Sequence, residues 1–201
     1  MNRLTKHRKG LVIVVSAPSG AGKTTLVQEL LKTDKNLIRS ISVTTRSKRS
    51  DEVSGKDYCF VSELCFKRKI LKNELLEWAK VHRDFYGTPK RFVEKHIKNG
   101  KDVILTIDVQ GAKSIRKVYP DAILIFVIPP SFNELKKRLR KRCANTKEDI
   151  ILRLKTAVTE YKNLTKYNYL VINDKIVDAV QKMQSIIIAE RCRVLISLDP
   201  L

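Results

Sequence analysis

A glycine-rich turn between an aliphatic run and a helical pattern carries the residues best suited to chemistry. It reads Ser16-Ala17-Pro18-Ser19-Gly20-Ala21-Gly22-Lys23-Thr24-Thr25. Gly20 and Gly22 let backbone N–H groups curl around phosphate oxygens, and the following helix points its positive end at them. Lys23 can reach the β- and γ-phosphates of a nucleotide, and the Thr24 hydroxyl can ligate Mg²⁺. We predict a phosphate-binding loop rather than a turn without a ligand, although Ala17 stands where the strict pattern has glycine.

A second candidate for the same site is the acid that ends another aliphatic run. Asp108 directly follows residues 103–107, which read as a buried strand. An acid in that place can hold Mg²⁺ through water, as the second acid of phosphate-loop enzymes does. The alternative is a helix cap before Gln110. The place of Asp108 at the carboxyl end of a buried strand favours the metal role.

A polar segment contains the residues that could bind a phosphate acceptor. Arg46 and Arg49 lie three apart and, with Tyr58, could clamp a phosphate monoester through charge-assisted hydrogen bonds. Later, Glu77 stands beside Trp78. Its carboxylate could accept from two adjacent donors, as the N1–H and N2–H2 groups of guanine present them. Adenine has no such donor pair, so a pocket built on this pairing would reject it.

The elements that must position these residues alternate between strand and helix. Aliphatic runs predict strands at 11–15, 37–43, 103–107, 122–128 and 169–172. Apolar periodicity predicts helices from the glycine-rich turn to about Leu31 and at 89–98, 110–118, 131–141, 148–161 and 178–193. Such alternation is typical of an α/β fold with a parallel sheet covered on both faces. Residues 44–89 break the pattern, with short strands only near 58–61 and 76–81, which indicates an inserted substrate-binding subdomain.

Taken in order, these motifs resemble those of the guanylate kinases, a family of nucleoside-monophosphate kinases. The resemblance spans about residues 11–193 and has a bacterial character. It rests on the SAPSGAGKTT loop, the TTR-x2-R-x2-E-x2-G-x-DY stretch, EW, YGT, IDVQGA, the lid arginines and VIND. It implies an ATP-dependent kinase that transfers the γ-phosphoryl of Mg-ATP to GMP or dGMP, giving ADP and GDP.

The resemblance also implies a division of the chain. The core would comprise 11–43, 90–130 and 154–201, the GMP-binding subdomain 44–89 and a mobile lid 131–153. Residues 1–10 would form a basic tail.

Site roles follow from the resemblance in the same way. The substrate GMP would be bound by Ser42, Arg46, Arg49, Glu52, Tyr58, Glu77, Tyr86, Gly87, Thr88 and Asp108. Within that set, the arginines and tyrosines would hold the phosphate, and Ser42, Glu77 and Thr88 would contact guanine. Glu52 would organise the arginines. The residues assigned to catalysis are Lys23, Arg49, Arg138, Arg142 and Arg153. Asn173 would lie near the adenine of ATP, and Thr24 and Asp108 would hold Mg²⁺, the latter through water.

Two positions depart from the family pattern. The place two residues before Asp108 usually has a carboxylate that contacts guanine, and here it is Thr106. One lost charged contact could weaken GMP binding or relax base choice by about 1–3 kcal/mol. In the lid, Cys143 replaces the usual glycine and could alter flexibility.

Composition bounds the remaining possibilities. The 201 residues carry a net charge of +20, which could attract nucleic acid or polyanionic substrates, or could reflect solvated lysines. We expect a cytoplasmic protein, monomeric or homo-oligomeric, with free thiols, no obligatory nucleic acid and no membrane partner. The alternatives are a kinase of another nucleoside monophosphate, a non-catalytic guanylate-kinase-like module and a nucleic-acid-binding protein.

Overall fold

The computed structural model describes residues 9–81, 83–141 and 147–193. Most of the predicted basic tail, Arg142 and Cys143 lie outside these ranges. In chain order the elements are β1 (Val12–Ser16), α1 (Lys23–Thr33), β2 (Leu37–Arg39), β3 (Val43–Thr44), β4 (Cys59–Phe60), α2 (Glu63–Leu71), β5 (Leu75–Val81), β6 (Asp84–Pro89), α3 (Lys90–Lys98), β7 (Asp102–Thr106), α4 (Val109–Val118), β8 (Ile123–Ile128), α5 (Phe132–Lys141), α6 (Lys147–Tyr161), a short 3₁₀ helix (Leu164–Lys166), β9 (Tyr169–Ile172) and α7 (Ile176–Arg191).

The central sheet has five parallel strands in the order β2-β7-β1-β8-β9. Its middle strand shows why the aliphatic runs are continuous. Ile13 and Val15 face one core cluster, Val12 and Val14 face the other, and all four are buried. Helices α1 and α7 cover the first face, with Leu26 and Met183, and helices α3 and α4 cover the second, with Val93 and Ile115. Both faces are therefore covered, as the alternation of strand and helix predicted.

A smaller sheet, in the order β4-β3-β6-β5, lies within the segment that broke the alternation. Strand β5 pairs antiparallel with β6, and Phe66 of α2 packs beneath them, stacked on Phe85 with ring centroids 5.4 Å apart. The side chain of Ser62 caps α2 by accepting from the backbone N–H of Cys65 at 3.2 Å. Helix α2 and strand β6 had not been predicted.

The single strand predicted at 37–43 is wrong. Residues Leu37–Arg39 pair with the central sheet, whereas Val43–Thr44 belong to the smaller one. Between them the backbone N–H of Ser40 still donates to Ile104 O at 3.0 Å, and Ser42 O accepts from Cys59 N at 2.9 Å. The chain changes sheets within three residues, so hydrophobicity alone shows no break.

No helix in the described ranges is long and apolar enough to cross a membrane. Within the same ranges Cys59, Cys65 and Cys192 are free thiols.

A buried carboxylate fastens the far end of the central sheet. Asp102 is fully buried; its Oδ1 accepts from the backbone N–H of Leu11 at 2.8 Å and its Oδ2 from Arg191 Nε at 2.7 Å. Arg191 also donates to Asp34 Oδ2 at 2.6 Å. This network of hydrogen bonds joins four parts of the fold: the residue before β1, the first residue of β7, the segment after α1 and the last residue of α7.

Replacing Asp102 with alanine should lower the free energy of unfolding by about 1–3 kcal/mol, because it leaves the backbone N–H of Leu11 without its acceptor and removes one of the two carboxylates that pair with Arg191. Urea unfolding at pH 7 measures this loss. The control is Glu29→Ala, which breaks the exposed Glu29–Lys32 pair and should cost less than about 1 kcal/mol. Equal losses in the two variants would show that Asp102 has no such role.

Candidate active site

A cleft of about 750 Å³ opens where the carboxyl ends of β1 and β7 meet the smaller sheet and helices α5 and α6. Ligand sites of α/β folds form at this edge of the sheet. The residues lining the cleft are Ala17, Pro18, Ser19, Gly20, Gly22, Lys23, Thr24, Thr25, Ser42, Arg46, Arg49, Tyr58, Glu77, Ala79, Val81, Asp84, Tyr86, Thr106, Ile107, Asp108, Arg138, Lys141, Arg153, Thr156 and Glu160.

Most of the predicted site residues therefore meet in one cavity. Five of them do not line it and lie behind those that do: Ala21, Glu52, Gly87, Thr88 and Asn173. One further predicted site residue, Arg142, lies outside the described residues.

The glycine-rich turn has the backbone conformation that a phosphate loop needs. Gly20 and Gly22 have φ angles of 88° and 90°, a region that residues with a Cβ rarely adopt. Gly22 immediately precedes α1, so the positive end of that helix faces the cleft. Ala17 is only 8% exposed and its methyl group joins the core cluster, which explains how alanine serves where the strict pattern has glycine.

Asn173 supports this loop from behind. Its Nδ2 donates to Ala21 O at 2.7 Å, and the residue is only 3% exposed. A Cβ added at Gly22 would lie 2.4 Å from the same Nδ2, so the close approach also requires glycine there. The observed contact is with the loop, and the contact with adenine stays a prediction.

Lys23 begins α1 and reaches across the floor of the cleft. Its ammonium donates to Ile107 O at 3.3 Å. Burial lowers the pKa of Lys23, while the charges of Glu160 and Asp108 act in the opposite direction. Burial in turn raises the pKa of Glu160 to about 7, against the charge of Lys23.

Glu160 was not among the predicted site residues. Arg153, Thr156 and Glu160 are spaced i, i+3 and i+7 along α6, so they lie on one face of the helix. All three line the cleft. The helical spacing of these three residues is visible in the sequence, but a polar helix face of this kind usually contacts solvent and therefore does not indicate a site. The Arg153 guanidinium donates to Ser19 Oγ at 2.7 Å, so α6 touches the phosphate loop directly.

Asp108 combines the two roles considered from the sequence. Its Oδ1 accepts from Gly111 N at 2.8 Å and caps α4, and the residue also lines the cleft. Thr24, exposed in the same cleft, adds a hydroxyl. The described residues form no cluster of three metal-binding side chains. Mg²⁺ usually binds one or two protein oxygens together with substrate phosphates, so this sparse donor set fits it.

The acceptor side is organised by one carboxylate. Glu52 accepts from Arg46 NH2 at 2.5 Å through Oε1 and from the backbone N–H of Arg49 at 2.9 Å through Oε2. The Arg46 guanidinium also lies 5.4 Å from the centre of the Tyr58 ring, and that ring makes an edge contact with Tyr86 at 6.0 Å. Both tyrosines line the cleft rather than filling the core.

A buried carboxylate forms another wall. Glu77 is 5% exposed, and its Oε1 accepts from the Thr88 hydroxyl at 2.6 Å. Burial raises the pKa of Glu77 to about 7; the Thr88 hydrogen bond opposes this rise and the charge of Asp108 adds to it. Room for the carboxylate comes from Gly111, where an added Cβ would lie 2.8 Å from Glu77 Oε2. Thr106 also lines this cleft.

A parallel sheet, a glycine-rich loop after its middle strand and a lysine at the start of the next helix define a phosphate-loop nucleotide-binding fold. Shikimate kinase from Acinetobacter baumannii shares this fold, with 14% identity and a TM-score of 0.50 over 92% of this chain and 97% of that one.

The particular family follows from closer relatives. The guanylate kinase family model matches residues 9–190. The guanylate kinase of Caldanaerobacter subterraneus subsp. tengcongensis is 50% identical over 93% of this chain and 91% of its own, and that of Thermotoga maritima 45% over 92% and 90%. The crystal structure of guanylate kinase from Anaplasma phagocytophilum superposes with a TM-score of 0.80 at 32% identity, covering 93% of this chain and 89% of that one.

The chain belongs to the guanylate kinase family. The resemblance and the fold class predicted from the motifs are thereby confirmed. The enzyme class is confirmed with them, since members of this family are ATP-dependent kinases of GMP.

Proposed function

We propose that the cleft transfers the γ-phosphoryl group of ATP to GMP or dGMP, giving ADP and GDP. The observation that carries this proposal is that one cavity is lined both by the phosphate-loop lysine, Lys23, and by the acceptor set of Arg46, Tyr58 and Glu77. The first group suits a nucleotide polyphosphate and the second a phosphate monoester attached to guanine.

The reaction needs positioning and charge neutralisation more than acid–base chemistry. The acceptor oxygen belongs to a phosphate whose second pKa is about 6, so it is mostly dianionic at neutral pH and needs no general base. The obstacle is repulsion between two anions, roughly 4 kcal/mol for unit charges at about 4 Å and an effective dielectric near 20. The cations that line the cleft and offset it include Lys23, Arg46, Arg49, Arg138 and Arg153.

Thr24 and, through water, Asp108 would hold Mg²⁺, which when bound supplies positive charge to the β- and γ-phosphate oxygens. Lys23 binds the same oxygens from the floor of the cleft. Arg153, which already touches Ser19 of the loop, closes the site from α6.

We infer that the described parts of two segments close on the substrates, those of 44–89 on GMP and those of 131–153 on ATP. Water competes with GMP as acceptor, and a site completed only when both substrates are bound excludes it. Arg138 is held by Glu134 of its own helix at 2.9 Å, so it is available to exchange this partner for a phosphate.

If the site closes only when both substrates are bound, ATP hydrolysis without GMP should be far slower than phosphoryl transfer to GMP. Comparable rates of the two reactions would contradict closure.

The charge state of Glu77 makes GMP binding depend on pH. Guanine offers two donors, so it binds the ionised carboxylate, whereas Glu77 in the free enzyme is protonated below its pKa of about 7. The KM for GMP should rise by up to about tenfold per pH unit below 7. The control is Glu77→Gln, in which the GMP phosphate still titrates but the Glu77 carboxyl no longer does. Identical pH profiles would show that Glu77 is already ionised.

A cytoplasmic location suits substrates that are free nucleotides. The reaction needs no nucleic acid or membrane, and the chain could act as a monomer or a homo-oligomer.

An acceptor panel tests the proposed substrate. Coupled ADP release with Mg-ATP is measured for GMP, dGMP, AMP and UMP. We expect kcat/KM for GMP to exceed that for AMP by at least about 10³-fold, because adenine would leave the Glu77 carboxylate unpaired. Thr106 in place of a carboxylate would reduce that ratio. A preference for AMP or UMP would overturn the assignment of GMP as substrate.

A further inference from the structure

A half-buried arginine behind the acceptor site has no role in the mechanism above. Arg39 is the last residue of β2, at the carboxyl edge of the central sheet. Its NH2 group donates to the backbone carbonyl of Asp57 at 3.1 Å, and its Nε is buried without a hydrogen-bond partner in the part of the chain that the structure describes. No carboxylate among the residues that the structure describes lies within ion-pair distance of it.

The carbonyl that Arg39 holds belongs to a tight turn leading directly into Tyr58. Within the turn, Asp57 bonds back to Val53 twice, through its backbone N–H at 2.9 Å and through Oδ2 at 2.8 Å. Gly55 N donates to Tyr58 O at 2.8 Å. These bonds shape the turn but do not fix it to the central sheet. The Arg39 bond does, and it joins the two sheets beside an acceptor-site tyrosine.

The charge of Arg39 acts on both halves of the cleft. It favours the ionised form of Tyr58 and disfavours the charged form of Lys23, so its field reaches the acceptor site and the phosphate loop. Arg46, by comparison, is neutralised by Glu52. Arg39 itself is half-buried, and no carboxylate of the described residues neutralises it. A dianionic acceptor phosphate bound in front of Tyr58 would supply the missing negative charge.

We propose that Arg39 is a positioning residue for the acceptor phosphate. It anchors the turn at 53–58 so that Tyr58 faces the cleft, and its unpaired charge strengthens the binding of the phosphate dianion. It does not line the cleft and acts through Tyr58. This inference rests on the proposed function and adds a residue to the same site.

The test compares Arg39→Met, Arg39→Lys and a matched control, Arg116→Met. Arg116 is also half-buried, also has a buried Nε without a partner, and donates to Asn168 Oδ1, far along the chain from the acceptor set. Calorimetry gives the Kd for GMP and for ATP, and steady-state kinetics gives kcat and both KM values. Thermal unfolding is recorded for each variant.

We expect Arg39→Met to weaken GMP binding about tenfold, with ATP binding within about twofold of wild type. Arg39→Lys should recover part of the loss, and Arg116→Met should show none. In a Tyr58→Phe background the effect of Arg39→Met should shrink, because the two residues act together.

Equal losses for GMP and ATP, an unchanged Kd for GMP, or full additivity with Tyr58→Phe would overturn the role of Arg39 while leaving the proposed function intact. A wild-type protein that binds ATP but not GMP would overturn both.

Discussion

Replacing Lys23 with methionine should lower kcat for GMP phosphorylation by about 10³-fold, because the cleft loses the cation placed at the floor of the phosphate loop. The lysine belongs to the first turn of α1, directly after Gly22, so its position is fixed by backbone geometry. Methionine keeps nearly the same length and removes only the charge. The free energy of unfolding should not fall, since burial already disfavours the charged form of Lys23.

The matched control is Lys32→Met, in the last turn of the same helix. Lys32 is exposed and pairs with Glu29 at the surface, so its replacement should leave kcat and both KM values unchanged. Turnover is measured by coupled ADP release at saturating GMP and ATP. A Lys23→Met variant that retains more than about a tenth of wild-type kcat would remove Lys23 from the transfer step.

Replacing Glu77 with glutamine should lower kcat/KM for GMP by about 10²–10³-fold, because the two charge-assisted hydrogen bonds proposed to guanine would be lost and an amide donor would face the guanine donors. The fold should tolerate the change. Glu77 is buried; among the described residues only Thr88 donates a hydrogen bond to its carboxylate, and burial raises its pKa and so disfavours the charged form. KM for ATP should stay within about twofold, since the phosphate loop is untouched.

Glu74→Gln is the control for this change. Glu74 precedes β5 and forms a surface pair with Lys69, away from the cleft. It should leave kcat/KM for GMP unchanged. A loss below about tenfold in Glu77→Gln would mean that guanine is recognised elsewhere, with Ser42 and Thr106 as the next side chains to test.

The central sheet was predictable because parallel strands covered on both faces leave continuous aliphatic runs, as in residues 122–128. The phosphate loop was predictable because its glycines and its lysine have fixed spacing. The strand predicted at 37–43 failed because the chain changes sheets between Arg39 and Val43, and pairing partners are a tertiary property.

Part of the site could not be predicted for a similar reason. Glu160 lies on a helix whose polar face normally contacts solvent, and only the packing of α6 against the phosphate loop brings it to Lys23. Asn173 was assigned to adenine from its motif, yet its observed hydrogen bond holds the loop backbone. Arg39 has no motif at all, and its importance depends on a contact with a turn 18 residues away.

The measurement that tests the central claim most directly follows the transferred group itself. ATP labelled in its γ-phosphoryl is mixed with GMP and the protein, and the products are separated. We predict that the label appears in GDP, in step with ADP formation, and that inorganic phosphate stays near background. Label released as inorganic phosphate at the same rate with and without GMP, and none in GDP, would contradict the assignment of this cleft as a GMP kinase site.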